Sequence, residues 1–430
     1  MYSHCNCSQD EIELILSQEQ IKQWVAKALR SIYKEFQGKI EPNLFELEAR
    51  SLTDAIETGM GGFQYNKPNF GLSIKLAQSG LWFAARKSYA EANDLAALLD
   101  AGGTTRSWSE FKKLAAPIVG KYNNTWLKTE YNTATRSARI ASIWVDMERT
   151  KDLYPNVEYI RTRSAEPRQQ HLEYVGIIRP YNDPFWVTHT PPLEWNCKCS
   201  IRQTKATITP IPEGLPEPVT GLANNAALSE QIFSEEHPYA KNAKEIEDSL
   251  QKDFFQARAN MGMFFKVQTP KNNITLVHPG HTASDVAKNL PTAIQLTDAG
   301  YKVELPAHIE KEKISRPDLK INGVLADLKE PASERKELPK EAHKSFKKLI
   351  DKASDQNVRI VVFRFDKSLL KYTINDLERG LNKAFIHEKK PINRGIDNVI
   401  IIGQDGKITE LKRQDIINKK IKWAQLPIML

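Results

Sequence analysis

The stretch TPIPEGLPEPVTGLANN, from Thr209 to Asn225, constrains this 430-residue chain more than any other. Its four prolines fix φ and remove backbone donors, so neither a helix nor a central strand can run through it. The chain must therefore fold on either side of it, and its composition changes there. Seven of the eight tryptophans precede the stretch and only Trp423 follows. From Tyr301 to Leu430 there are 28 Lys and Arg against 19 Asp and Glu, so the whole net charge of +8 arises in the last 130 residues. That asymmetry points to a polyanionic partner for the C-terminal part, or to a solubilising basic surface.

The first 150 residues carry apolar positions at helical spacing. SQDEIELILSQEQIKQWVAKALRSIYKEF (Ser8 to Phe36) predicts a helix behind a Ser cap, and LWFAARKSYAEANDLAALLDAG (Leu81 to Gly102) predicts one that stops on glycine. Ser107 with Glu110 reads as a capping box, and Asn124 to Arg149 as a long helix. From about Tyr154 to Arg202 the period collapses into short strands and turns. Beyond the prolines, a helical run from Ala240 to Met261 leads to alternating helix and strand patterns. The expected fold class is multidomain: a mainly α N-terminal module with a small β/loop region, then an α/β domain on a small mixed sheet. The expected parts are 1–153, helical; 154–204, the β/loop region with the Cys-x-Cys; 205–263, a proline-rich linker with a helical tail; and 264–430, the α/β domain. No apolar run approaches the ~18 residues of a membrane span. The N-terminus lacks a basic segment followed by an apolar one, so neither a secretory signal nor a membrane partner is expected. The chain should act in the cell that makes it, or leave inside something larger.

Four cysteines form two Cys-x-Cys pairs, Cys5/Cys7 and Cys197/Cys199, too sparse for a disulfide framework. Cys197 and Cys199 follow His189, with His171 further back, a donor set suited to tetrahedral Zn²⁺. The competing reading is reduced thiols beside hydrogen-bonded histidines. DPFWVTHTPPLEW, Asp183 to Trp195, reads as a rigid packed loop.

These residues resemble the head morphogenesis (minor head protein) family of Mu-like and related tailed phages. That family's ordered motif is matched by Arg168, His171, Gly176, Asp183 to Trp186, Pro191/Pro192 and Cys197/Cys199. The likeness runs from roughly residue 20 to 242. It implies a minor virion protein near the portal, with portal and capsid proteins as partners, and it implies no catalysis.

RPDLKINGVLADLK, Arg316 to Lys329, carries Asn322-Gly323, the pair that favours a two-residue type I′ turn. That turn sets Ile321 opposite Val324, Lys320 opposite Leu325, Leu319 opposite Ala326 and Asp318 opposite Asp327. One face is then apolar, and the other holds two aspartates with Lys329. Facing carboxylates repel by a few tenths to ~1 kcal/mol. A cation between them removes that cost, and Mg²⁺ or Mn²⁺ prefers carboxylate oxygens. Lys329 would then orient a metal-bound water or neutralise a phosphate. The competing reading is a solvated face on which Lys320 and Lys329 offset the two aspartates.

Pro317-Asp318 with Asp327-Leu328-Lys329 matches the PD-(D/E)xK nuclease signature. The surroundings, roughly residues 275 to 415, resemble the tRNA-nuclease toxin domains of contact-dependent inhibition proteins. The resemblance implies Asp318 and Asp327 as metal ligands, Lys329 as the catalytic lysine, and nucleic acid as substrate, RNA or tRNA ahead of DNA. Glu304 would add a carboxylate or be a strand-end residue, and Gln356 would line the pocket or simply end its helix. The family's further acid on the first helix would fall to Asp285 or, less well, Asn289. His278 and His281 read as turn residues, with a general base as the alternative. The function expected is thus a phage minor head protein carrying a metal-dependent endonuclease, located in the virion or the bacterial cytoplasm, with an immunity protein among its partners. The alternatives are a structural head protein with a catalytically silent nucleic-acid-binding domain, and a toxin effector delivered through the head module.

Overall fold

Helix-capping chemistry is visible from the first turn of the computed structural model, which describes residues 16–36, 38–162, 164, 166–307, 317–331, 342–365, 372–388, 390–392 and 395–430. Cys5 and Cys7 lie outside the described residues. The chain divides into two compact units, Met1–Met261 and Gly262–Leu430.

In the first unit, Ser17 and Gln20 form a capping box that opens α1 (Gln18–Glu35). Glu41 caps α2 (Pro42–Met60), which has proline in its first turn and ends at Gly61 with φ of 77°. Helix α3 (Phe70–Ala96) is longer than the Leu81 to Gly102 pattern suggests and stops before Gly102. Ser107 and Glu110 form the expected capping box of α4 (Trp108–Gly120). A π-helical turn, Lys121–Trp126, then leads into α5 (Leu127–Glu148). Helices α2 and α5 meet closely at Gly59, where a Cβ would lie 2.3 Å from the Thr135 carbonyl oxygen.

Charge is buried among these helices. Lys87 of α3, 1% exposed, bonds Glu48 of α2 at 2.7 Å and Glu130 of α5. Burial disfavours the Lys87 charge, but the two carboxylates together outweigh it and raise its pKa. Glu91, one turn along α3 and 2% exposed, accepts from Asn123 of the π-helical turn. Burial pushes its carboxyl up to about 8, against the pull of Lys87.

The β/loop part is a three-stranded antiparallel sheet in the order β2 (Ile178–Pro180), β1 (Asn156–Ile160), β3 (Ser200–Thr204). Short helices α6 (Gln169–Leu172) and α7 (Phe185–Thr188) lie between β1 and β3 in sequence. Their core is aromatic, with Trp144, Tyr159, Tyr174 and Trp186 all buried.

The proline-rich stretch is extended but does not separate the units. Its Thr209 N–H donates to the Ile178 carbonyl at 3.1 Å, and its Val219 N–H to the Leu193 carbonyl at 2.9 Å. The Tyr174 hydroxyl donates to the Pro216 carbonyl. It is a strap across the β/loop part. The reason is that prolines exclude regular structure without excluding packing, and the free carbonyls of such a stretch still accept hydrogen bonds. Beyond it, α8 (Ala226–Ser229) leads to α9 (Pro238–Ala243) and α10 (Glu247–Ala259), so the Ala240 to Met261 run is broken by a 3₁₀ turn, Lys244–Ile246. Arg86 of α3 holds this tail through Glu235 at 2.7 Å and Glu247 at 3.1 Å.

The second unit is α/β, on a mixed sheet of eight strands rather than a small one. In chain order its elements are β4 (Phe265–Gln268), β5 (Ile274–Val277), α11 (Ala283–Asp298), β6 (Val303–Leu305), β7 (Leu319–Ile321), β8 (Val324–Lys329), α12 (Ala342–Asp355), β9 (Ile360–Arg364) and α13 (Ile374–Phe385). A two-strand hairpin, β10 (Ile386–His387) and β11 (Lys390–Pro391), precedes β12 (Asn398–Ile402) and β13 (Ile408–Lys412). The sheet order is β13-β12-β9-β8-β7-β6-β5-β4. Strand β9 pairs in parallel with β8 and β12, and all five of its residues are buried, as expected of a strand covered on both faces. Helices α12 and α13 cover one face through Phe346, Ile350, Leu377 and Leu381, packed with Val361 and Phe363. On the other face, Arg364 donates to Thr292 of α11 at 2.9 Å.

Glu91 generates a test of the helical unit. A carboxyl raised to about 8 in the fold, against an ordinary value of 4.5, contributes stability at low pH that is lost as pH rises between those values. Glu91→Gln should therefore raise Tm at pH 8 by roughly 5 °C, and the difference should shrink toward pH 5, measured by thermal unfolding of the full chain.

Candidate active site

The geometry of the second unit's site begins at Asn322 and Gly323, whose φ values of 50° and 84° both lie in the left-handed region. These are the angles of a type I′ turn. The register follows from it: Leu319 pairs with Ala326, Lys320 with Leu325 and Ile321 with Val324. Continued by one residue, that ladder brings Asp318 opposite Asp327. Leu319, Ile321 and Ala326 are buried on one face.

The opposite face is not solvated at Asp327, while Asp318 is half-buried. Asp327 pairs with Val361 and Lys329 with Phe363 of β9, which places them under the helices that cover those two residues. Asp327 is only 2% exposed. Lys329 forms an ion pair with its carboxylate. Gln356, just beyond α12, sets its side-chain amide against the same carboxylate; with the nitrogen turned inward it donates to both oxygens, to Oδ1 at 3.2 Å. Asp318 Oδ2 accepts from the Leu328 N–H at 2.9 Å. Burial first, and then the facing Asp318, push the Asp327 carboxyl up to about 7, against the pull of Lys329. Two acids, a cation and an amide thus converge on one sheltered point of a central strand.

The other candidates have different surroundings. Glu304 sits across from Lys320 on the same sheet face and bonds it at 3.2 Å, which gives Lys320 a partner other than the two aspartates. Asp285 closes the capping box of α11, its Oδ2 accepting from the Thr282 hydroxyl at 2.8 Å. Asn289 is 3% exposed, and its Oδ1 meets no hydrogen-bond partner among the described residues. His278 is a turn residue whose Nδ1 accepts from the Gly280 N–H at 2.9 Å, and His281 is buried beside it.

In the first unit, His171, Cys197 and Cys199 come together, with one ligand atom from each lying within 4.8 Å of the others. His189 does not join them, contrary to the expectation from sequence. Its ring stacks on Phe185, its Nδ1 meets the Thr188 hydroxyl at 2.8 Å, and its Nε2 faces Glu217 at 3.4 Å. The cause is α7, which turns the chain so that His189 packs on the residue four before it. Sequence reasoning also missed Glu194, which lies 3.3 Å from His171 Nε2; an acid between Pro-Pro and Cys-x-Cys was the available signal. Among the described residues, no helix is long and apolar enough to cross a membrane.

Two family models match. Residues 93–202 match the Phage Mu protein F like family, and residues 315–408 match the contact-dependent growth inhibition CdiA C-terminal domain. The chain joins a Mu F-like domain to a CdiA C-terminal domain. The Mu F-like domain contains His171, His189, Glu194, Cys197 and Cys199, and the CdiA C-terminal domain contains Asp318, Asp327, Lys329 and Gln356. Glu304 and Asp285 precede the latter. The putative capsid assembly protein F of Escherichia phage Mu is 39% identical over 80 residues, 19% of this chain and 18% of that protein. The Mu-like prophage FluMu F protein of Haemophilus influenzae is 35% identical over 77 residues, 18% of each chain. The chain thus spans about a fifth of the length of these curated relatives. A chain of the CdiA-CT/CdiI toxin and immunity complex from Burkholderia pseudomallei aligns over 30% of this chain and 85% of its own, at 22% identity and a TM-score of 0.23, too low to bear on the fold.

The turn in the CdiA C-terminal domain is testable without any assay of activity. Gly323→Val places a β-branched residue at a φ of 84°, a strain of about 1–3 kcal/mol. Hydrogen exchange at the Leu328 amide should accelerate roughly tenfold or more, read by mass spectrometry of the peptide that carries it.

Proposed function

We propose that the CdiA C-terminal domain is a divalent-metal-dependent nuclease that hydrolyses phosphodiester bonds, and that the Mu F-like domain gives it a place in a phage head. The convergence of Asp318, Asp327, Lys329 and Gln356 on one buried point carries this reading. Their donor set fits the metal: two facing carboxylates offer hard oxygens only, which suits Mg²⁺ or Mn²⁺ rather than a thiophilic ion. Asp318 and Asp327 would hold it. Bound there, the ion would polarise a phosphate oxygen and acidify a water ligand.

The protein's own groups do the rest. The Leu328 N–H fixes the Asp318 carboxylate, and the Gln356 amide orients Asp327. Lys329 keeps a cation on the same strand face, where it can orient the attacking water or neutralise charge developing on the phosphate. The basic excess from Tyr301 onward attracts a polyanion. RNA, and tRNA in particular, is favoured over DNA on the likeness to contact-dependent inhibition toxins. The same likeness proposes an immunity protein as partner, and the Mu F-like domain proposes portal and capsid proteins. Glu304 and Asp285 are outer candidates, since Lys320 and the α11 cap already engage them.

Full-length protein with Mg²⁺ or Mn²⁺ should cut labelled tRNA or single-stranded DNA, and chelation should stop it. Asp318→Asn keeps an oxygen for the Leu328 N–H and, like Asp327→Asn and Lys329→Met, should reduce the rate about 100-fold or more. Glu304→Gln should cost less than about tenfold. Cleavage that survives Asp327→Asn and Lys329→Met would overturn the assignment. Salt-sensitive binding of nucleic acid without cleavage would favour a silent binding domain instead.

A further inference from the structure

We propose that His171, Cys197 and Cys199 form a zinc site in the Mu F-like domain, with three protein ligands and a fourth position opening into the adjoining cleft. Nothing in this inference depends on the nuclease reading.

The distances suit the ion. His171 Nδ1 lies 3.6 Å from Cys197 Sγ and 3.5 Å from Cys199 Sγ. Zinc bonds of about 2.3 Å to sulfur and about 2.0–2.1 Å to nitrogen, at the tetrahedral angle, separate the two donors by about 3.6 Å. Two thiolates and an imidazole form a soft set that selects zinc over Mg²⁺ or Ca²⁺.

The surroundings are built to aim these ligands. The second ring nitrogen of His171 faces Glu194 at 3.3 Å, the carboxylate–histidine relay common behind zinc ligands. Glu194 is itself held by Arg168 at 3.0 Å and by Gln170 at 2.9 Å. The Cys199 N–H donates to Cys197 Sγ at 3.4 Å, a contact that favours the thiolate. Arg136 of α5 donates to the carbonyls of Asn196 and Cys197, each at 3.0 Å, and the Asn196 N–H donates to the Thr133 hydroxyl at 3.0 Å. The Cys-x-Cys loop is thereby pinned to α5, with Asn196 at a φ of 60°. Simple thiol–imidazole hydrogen bonds would account for the ligand contacts, but they leave the layer behind His171 without a purpose.

Beside the three ligands is a cleft of about 120 Å³, lined also by Thr162, Ser164, Arg168 and Lys198. The fourth coordination position falls to a water or small anion from this cleft, because His189 is turned away toward Glu217. The ion would clamp α6 to the loop that leads into β3, beside a sheet of only three strands.

The test uses the full chain with Cys5→Ser and Cys7→Ser, so that only Cys197 and Cys199 remain as thiols, dialysed against zinc and analysed by elemental spectrometry without nucleic acid. One zinc per chain is expected, and Co²⁺ in its place should give a sulfur-to-cobalt charge-transfer band that saturates at one equivalent. Cys197→Ser, Cys199→Ser and His171→Ala should each reduce bound zinc more than tenfold, while His189→Gln and Asp327→Asn should leave it at one. If a ligand variant fails to fold, the cobalt titration of the parent chain decides alone. Absence of the band, or zinc retained after Cys197→Ser, overturns the site. Because the band reports sulfur ligation, a negative result leaves the carboxylate site of the C-terminal domain untouched, and the converse also holds.

Discussion

The two-residue turn at Asn322-Gly323 is the constraint on which the C-terminal unit depends. Side chains in a strand alternate with period two, so a slip of one residue would exchange the faces of β8. Leu319, Ile321 and Ala326 would lose their cover, and Asp327 would leave the helices that enclose it. Strand β8 is also the seam of the sheet, antiparallel to β7 on one side and parallel to β9 on the other. A register set locally, by two left-handed residues, is thus passed to both halves of an eight-stranded sheet.

Each unit gathers one lysine and two carboxylates. Lys87 is enclosed among helices with Glu48 and Glu130 as partners, an arrangement that fixes how three helices meet. Such a cluster adds little net stability over an apolar core, but removal of one member strands the others. Asp327 has a lysine too, and burial first, then the facing Asp318, raises its pKa. Lys87, Glu48 and Glu130 are all buried, whereas Asp318 and Lys329 beside Asp327 stay partly exposed.

Local chemistry was legible in the sequence wherever neighbours along the chain set the outcome. The Ser107–Glu110 cap and the hairpin register are of this kind, each decided within a few residues. The burial of Asp327 was not legible, because it depends on α12 and α13 arriving over β8 from later in the chain. Gln356 reaches Asp327 for the same reason, a placement the sequence left open between lining the pocket and ending its helix. His189 was misplaced because nearness in sequence to Cys197 is not nearness in space once α7 has turned the chain. The β4–β5 hairpin and α2 went unread: the first is short and carries an exposed Ile274, and the second interrupts its apolar spacing with Glu46, Glu48 and Arg50.

The packing of the proline-rich strap alters where this protein is divisible. A breakpoint chosen by composition would fall among the prolines, cutting Val219 from Leu193 and leaving Leu222, Ile232 and Phe233, all buried, on the wrong side. The two compact units divide instead between Met261 and Gly262. Replacement of the C-terminal unit would preserve the packing of the first unit only at that later joint, so the strap and the tail behind it travel with the first unit.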